Sequence, residues 1–197
     1  MIKLFDLLKE LNNILIPRRS SEERLTNYST AKQRQVQQYM KDGGKGNLDL
    51  KDTPITSLPD GLSVGGYLDI TNTKITSLPN NLSVRGTLEA DSKYITSISG
   101  NLSVGGDLDL SYAPIKSISG NLSIGGDLNL SNIPITELPD NVSVGGDLDL
   151  MGTLIDSLPD NLSVGKNLWL EKTPLSKKYT ADQLKQMLPG VKGEIGI

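Results

Sequence analysis

The chain has 197 residues, a net charge of −3, and neither cysteine nor histidine. Without cysteine there are no disulfides, thiol nucleophiles or thiolate metal sites. Without histidine the commonest general base is missing, and with it any Ser-His-Asp arrangement. A hydrophobic share of 36% is low for a compact core and suits a thin array one coil wide. The small net charge conceals a split. Residues 1–45 carry nine Lys/Arg against five Asp/Glu, residues 46–170 six against fifteen, and residues 171–197 five against three. The same three segments mark the expected organisation: a helical N-terminal segment, a repeat array and a C-terminal capping repeat. Charge polarised in this way bears on partners.

Residues 2–16 place Ile2, Phe5, Leu8, Leu11 and Leu15, with Leu4 and Leu7, on one stripe, which predicts an amphipathic helix. Asp6, Lys9 and Glu10 interrupt any secretory h-region and no small-residue cleavage site follows. No run reaches membrane-spanning length. The expectation is a soluble chain, not secreted by a signal peptide and with no membrane contact. Pro17 stops the helix, and Arg18-Arg19-Ser20-Ser21 reads as a hinge. Ser20 with Glu23, and Thr30 with Gln33, have capping-box spacing, so helices are expected around 21–28 and 31–41, ended by Gly43-Gly44.

Arg18, Arg19, Arg24, Lys32 and Arg34 make this segment basic. Nucleic-acid binding needs a denser patch or interleaved aromatics, so direct binding of that kind is not expected. These residues read as a solvated helical face or a docking arm. The stripe of Phe5, Leu8, Leu11 and Leu15 is the candidate partner-docking helix.

From Leu48 a frame recurs every twenty residues. Leu48, Leu68, Leu88, Leu108, Leu128, Leu148 and Leu168 open the units. Two residues on stand Leu50, Ile70, Ala90, Leu110, Leu130, Leu150 and Leu170, and five further on Ile55, Ile75, Ile95, Ile115, Ile135, Ile155 and Leu175. A fixed period in this range means one unit stacked on copies of itself, hence a solenoid. L-x-L is a short parallel strand with alternating facing. Leu58 and its equivalents anchor the returning segment, and Leu62 and its equivalents fill the back. Gly-Gly pairs at 65–66, 105–106, 125–126 and 145–146 are expected to turn a tight corner at positive φ. The third unit is irregular: Arg85, Ala90 and Lys93 replace glycine, a large core residue and threonine. Drift, a local bend or a partner contact would each explain it.

The phasing L-x-L-x-x-T-x-I-x-S-L-P, seen in Leu68 to Pro79, resembles the short, twenty-residue bacterial class of leucine-rich repeats over about two-thirds of the chain. That resemblance implies a protein-binding repeat module. Where the family places a strand-terminating asparagine, this chain has Thr53, Thr73, Lys93, Ala113, Ile133, Thr153 and Thr173, which excludes a continuous asparagine ladder and leaves a more regular β-solenoid open. After Leu168 the next strand-like pattern is Gly193 to Ile197, twenty-seven residues on. The extra length holds a capping box at Thr180 to Gln183, then Leu184, Met187 and Leu188. The resemblance accounts for this as a helix near 181–188 on the convex side followed by an eighth strand at Ile195 and Ile197, so that helical caps stand at both ends. The strings at 45–70 and 173–197 also look like repeat proteins of large tailed phages, which implies a bacterial host cytoplasm or a virion.

Two outward columns flank the strands. One runs Tyr67, Thr87, Asp107, Asp127, Asp147, Asn167 and Glu194; the other runs Asp49, Asp69, Glu89, Asp109, Asn129, Asp149, Trp169 and Gly196. Like charges opposite each other destabilise a sheet. The columns therefore read either as solvated repeat consensus, as a concave acidic face for a basic protein partner, or as carboxylate pairs for calcium. Asp69, Glu89, Asp107, Asp109, Asp127, Asp147, Asp149, Trp169 and Tyr67 form the candidate binding face. Trp169 is either an exposed anchor or a shield for the last coil. Asn-x-Ser at Asn81, Asn101, Asn121, Asn141 and Asn161 keeps phase with the repeat and reads as corner hydrogen bonding, not glycosylation. No catalytic set, cofactor motif or metal cluster is visible. The expectation is a non-enzymatic module, with a phage structural component or an acidic mimic inhibiting a nucleic-acid-binding host protein as alternatives.

Overall fold

In the computed structural model, residues 20–90 and 93–197 are described; the predicted helix at 2–16, with Phe5, Leu8, Leu11 and Leu15, lies outside them. Helix α1 spans Ser21–Lys41 without a break. The two shorter helices expected there are one, and Ser21 belongs to it, not to a hinge. Ser20 caps it: its hydroxyl accepts from the Glu23 N–H while the Glu23 carboxylate accepts from the Ser20 N–H. Thr30 starts nothing, because its hydroxyl donates back to the Thr26 carbonyl, which a mid-helix threonine does without ending the helix. At the far end Gly43 and Gly44, both at positive φ, donate to the carbonyls of Met40 and Tyr39. This is a Schellman motif. Val36 enters the core and Tyr39 and Met40 pack against it.

The rest is a parallel β-solenoid of 17 short strands in three sheets, with a helix at each end. The first sheet has eight strands: Leu48–Asp49, Leu68–Asp69, Leu88–Glu89, Leu108–Asp109, Leu128–Asn129, Leu148–Asp149, Leu168–Trp169 and Ile195–Gly196. The second has six, from Ser63–Val64 to Ser163–Val164, and the third three, from Ser77–Leu78 to Ser117–Ser119. Register is in step with the repeat, Leu48 beside Leu68 and Leu122 beside Val142. The second and third sheets were not expected. Their signal was the alternation in L-S-V, where Leu82 and Val84 are buried either side of the more open Ser83.

Inward residues stack as columns in one continuous core from Val36 to Ile195. Thr53, Thr73, Thr153 and Thr173 join it because each hydroxyl donates to the carbonyl three residues back, satisfying a buried polar group. The asparagine ladder excluded at that position exists elsewhere. Asn101 donates to the Asn81 side chain, Asn141 to Asn121 and Asn161 to Asn141, at 2.9–3.0 Å.

The Gly-Gly corners differ from expectation. None of these glycines has positive φ. Glycine is required because coils meet there: a Cβ on Gly125 would run into the Gly105 carbonyl oxygen, and one on Gly126 into the Asp107 carboxylate. Left-handed backbone falls instead four residues after six of the first-sheet leucines, at Asp52, Asn72, Tyr112, Asn132, Gly152 and Lys172. Asp, Asn and Gly adopt that conformation at lower cost than Tyr112 or Lys172.

The final interval contains a 3₁₀ turn at Leu175–Lys177 and helix α2 at Ala181–Met187, begun by the Thr180–Gln183 capping box. Leu184 and Leu188 reach the core. The eighth strand forms, paired parallel to Leu168–Trp169. It ends at Gly196, and Ile197 is 45% exposed, not an inward strand residue.

Two stability outcomes follow from these positions. Leu108→Ala, in a fully buried column, loses roughly 2–4 kcal/mol by leaving a cavity. Tyr112→Asn, which installs the residue found at Asn72 and Asn132, gains about 1 kcal/mol by relieving left-handed backbone strain. Urea unfolding of each variant checks both; a loss of stability in Tyr112→Asn contradicts the strain argument.

Candidate functional site

The outward columns of the first sheet are built by backbone capping. Before five of the strands, one side-chain oxygen accepts the N–H of its equivalent on the next coil. Asn47 takes Tyr67, Asp107 takes Asp127, Asp127 takes Asp147, Asp147 takes Asn167 and Asn167 takes Glu194, at 2.8–3.1 Å. In the middle column the oxygen accepts an N–H two residues on, in an Asx turn that ends the strand. Asp49 takes Lys51, Asp69 takes Thr71, Asp109 takes Ser111, Asn129 takes Ser131 and Asp149 takes Met151. Asp and Asn recur because they hold the coil together, a reason absent from the three sequence readings. Only one oxygen of each carboxylate is used this way.

The columns are unevenly exposed. Glu89, Asp107, Asp109 and Asp127 are open, whereas Asp147 and Asp149 are half-buried. Asp69 is 8% exposed and also accepts the Thr71 hydroxyl, so it offers little free surface. A shallow depression of about 400 Å³ brings Glu89, Asp107 and Asp109 together with Thr71, Thr87 and Ser111. Ala90, the small residue of the irregular third unit, also borders it. Asp127 has an ion pair with Lys166 at 3.7 Å, but both side chains are more than half exposed, so it adds little. Among the described residues, no three carboxylates group to hold a metal ion.

Trp169 lies beside Asp149 on one side and Gly196 on the other. It is half-buried. A Cβ on Gly196 would run into its six-membered ring and meet the Glu171 carboxylate. The indole thus lies over a bare glycine on the last strand, the cross-strand arrangement that shields an edge glycine. The indole covers that glycine, and Trp169 as a residue keeps partial exposure. Tyr67, at the opposite end of the face, is 38% exposed.

One carboxyl on this face is perturbed. Burial pushes the Asp149 carboxyl above its ordinary value, and the negative charges of Glu171 and Asp109 add to the effect, against the Met151 N–H bond. Glu171 itself has a buried oxygen without a hydrogen-bond partner among the described residues.

Comparisons of the chain with family models, with characterised proteins and with solved structures return no match. Geometry and chemistry alone therefore bear on the site. Because the folded chain holds the Asp149 proton more tightly than the unfolded chain, the group carries no penalty well below 3.8 and destabilises increasingly as pH rises through its raised folded value. Asp149→Asn keeps the acceptor for Met151 and removes the charge. Its melting temperature should exceed that of the parent at pH 7 and match it near pH 3; an equal gain at both pH values contradicts this.

Proposed function

We propose that this chain is a non-enzymatic binding module of the short leucine-rich-repeat type, and that the outward face of the first sheet receives a protein with a basic surface. One observation carries the reading. Asp107, Asp127 and Asp147 stand on consecutive coils with one oxygen fixed by the next coil's N–H, so the second oxygens form a preorganised row about 4.8 Å apart. A side chain already held in place loses little entropy on binding. Lys or Arg groups along such a row relieve the repulsion between neighbouring carboxylates, and they gain charge-assisted hydrogen bonds. The open part of Trp169 supplies an aromatic edge at one end of the face. The helices at the two ends are caps in this reading: α1 and α2 bury Val36, Leu184 and Leu188 against the terminal coils, where an array otherwise exposes its core. Among the described residues no helix is long and apolar enough to cross a membrane.

The test replaces Asp107, Asp109, Asp127, Asp147 and Asp149 together with asparagine, which keeps every backbone acceptor. Serine is the poorer choice, because its shorter side chain does not reproduce them. Against a basic partner captured from the native source, association should slow and lose most of its salt dependence while melting stays cooperative. Unchanged affinity and salt dependence with the fold intact contradict the proposal.

A further inference from the structure

Aromatic residues interleaved with basic ones do occur in this protein, brought together by the fold and not by the sequence order. Residues 46–170 hold only six Lys/Arg. Three of these, Lys74, Lys93 and Lys116, stand on three successive coils at the corner between the first and third sheets, with Tyr94 and Tyr112. All five are exposed. Lys74 and Tyr94 occupy the same position in neighbouring units, so they sit one strand spacing apart. The Lys116 N–H donates to the Thr96 carbonyl, which places its coil directly on that of Tyr94.

Two details of this corner lack an explanation within the fold. Lys93 takes the position where other units bury Thr, Ala or Ile, yet it is turned outward, with its ammonium 5.1 Å from the centre of the Tyr94 ring. Tyr112 is held at φ +59 in a column that suits Asn, Asp or Gly, and it is 77% exposed. Packing therefore does not account for its presence. Among the described residues, none of the three lysines forms an ion pair.

We infer that this corner binds single-stranded nucleic acid. Lysines on successive coils contact phosphates along one strand, and the Tyr112 ring with the free face of Tyr94 stacks on unpaired bases. An acidic protein would use the lysines but leave the ring faces idle, and a duplex keeps its bases stacked on one another. The carboxylates of the neighbouring first sheet repel phosphates, so binding is confined to the corner and is strongest at low salt. This surface is separate from the one proposed for a basic partner.

The test uses the full chain, a fluorescein-labelled oligothymidylate followed by anisotropy at low salt, and a duplex and a polyglutamate of matching length as competitors. Tyr112→Asn should weaken oligothymidylate binding roughly tenfold or more, while its urea midpoint is unchanged or higher. Lys74→Gln and Lys116→Gln should each lower the slope of log affinity against log salt by about 0.7. The inference is overturned by absence of oligothymidylate binding at low salt, or by affinity indifferent to Tyr112→Asn. Competition by polyglutamate or duplex as strong as by unlabelled oligothymidylate overturns it too, and would mark a general anion surface.

Discussion

Every coil of this protein is hydrogen-bonded to a near copy of itself, and the rest of the structure depends on that condition. The N–H of Leu48 meets the Tyr67 carbonyl, that of Leu108 meets Asp127 and that of Leu148 meets Asn167, at 2.9 Å in each case. With backbones locked in step, each side chain faces its own equivalent at strand spacing. A residue type is admitted at a position only if it tolerates a neighbour of the same kind. Leucine and isoleucine stack inward as columns. Asparagine stacks outward at the corner, because an amide such as that of Asn141 can donate to the amide of the preceding coil and accept from that of the next. Aspartate carries a charge and should fail, yet Asp127 accepts the next coil's N–H with its side chain while its own carbonyl receives an N–H from the coil before. The bond to the backbone offsets repulsion that an unbonded carboxylate would meet.

The same condition decides what the sequence reveals. The columns of Leu108 and Ile115 repeat without exception of character, so the solenoid, seven of the eight first-sheet strands and the burial of these residues are legible from period alone; the eighth, after a longer interval, needed the family resemblance as well. Capping boxes at Ser20 and Thr180 announce their helices because the bonds are local. Other features depend on what lies on the next coil, twenty residues away. The Gly125-Gly126 corner has the sequence of a tight turn, but its glycines answer to the Gly105 carbonyl and the Asp107 carboxylate. The split of residues 21–41 into two helices rested on a threonine that bonds backwards into its own helix. The aspartates drew attention as charges, and their capping bonds became visible only with the coils in register.

Departures from the repeat carry most of the functional information. Where Asp recurs, the backbone explains it. Where the column is broken by Trp169, a glycine on the last strand explains it. Lys93 breaks its column with only the Tyr94 ring beside its ammonium, Tyr112 breaks its own while largely exposed, and the two fall on adjacent coils. The molecule therefore offers two charged surfaces of opposite sign on one rigid frame. The first-sheet face bears carboxylates, and the corner beside it bears lysines and tyrosines. The salt responses expected of the two proposed surfaces can be measured independently on the same chain.

The most direct measurement of the stacking account is removal of one coil. Deleting residues 109–128 joins Leu108 to Asn129 and returns every later residue to its former column. Deleting residues 109–127 removes one residue fewer and leaves the joined coil with one residue too many, which breaks its register with the coils on either side. Urea unfolding of both, followed by circular dichroism, should show a single cooperative transition with a smaller m-value for the twenty-residue deletion, as expected for less buried surface, and a clearly lower midpoint for the nineteen-residue deletion. Equal stability in the two, or loss of folding in both, would contradict a structure held by coil-to-coil register.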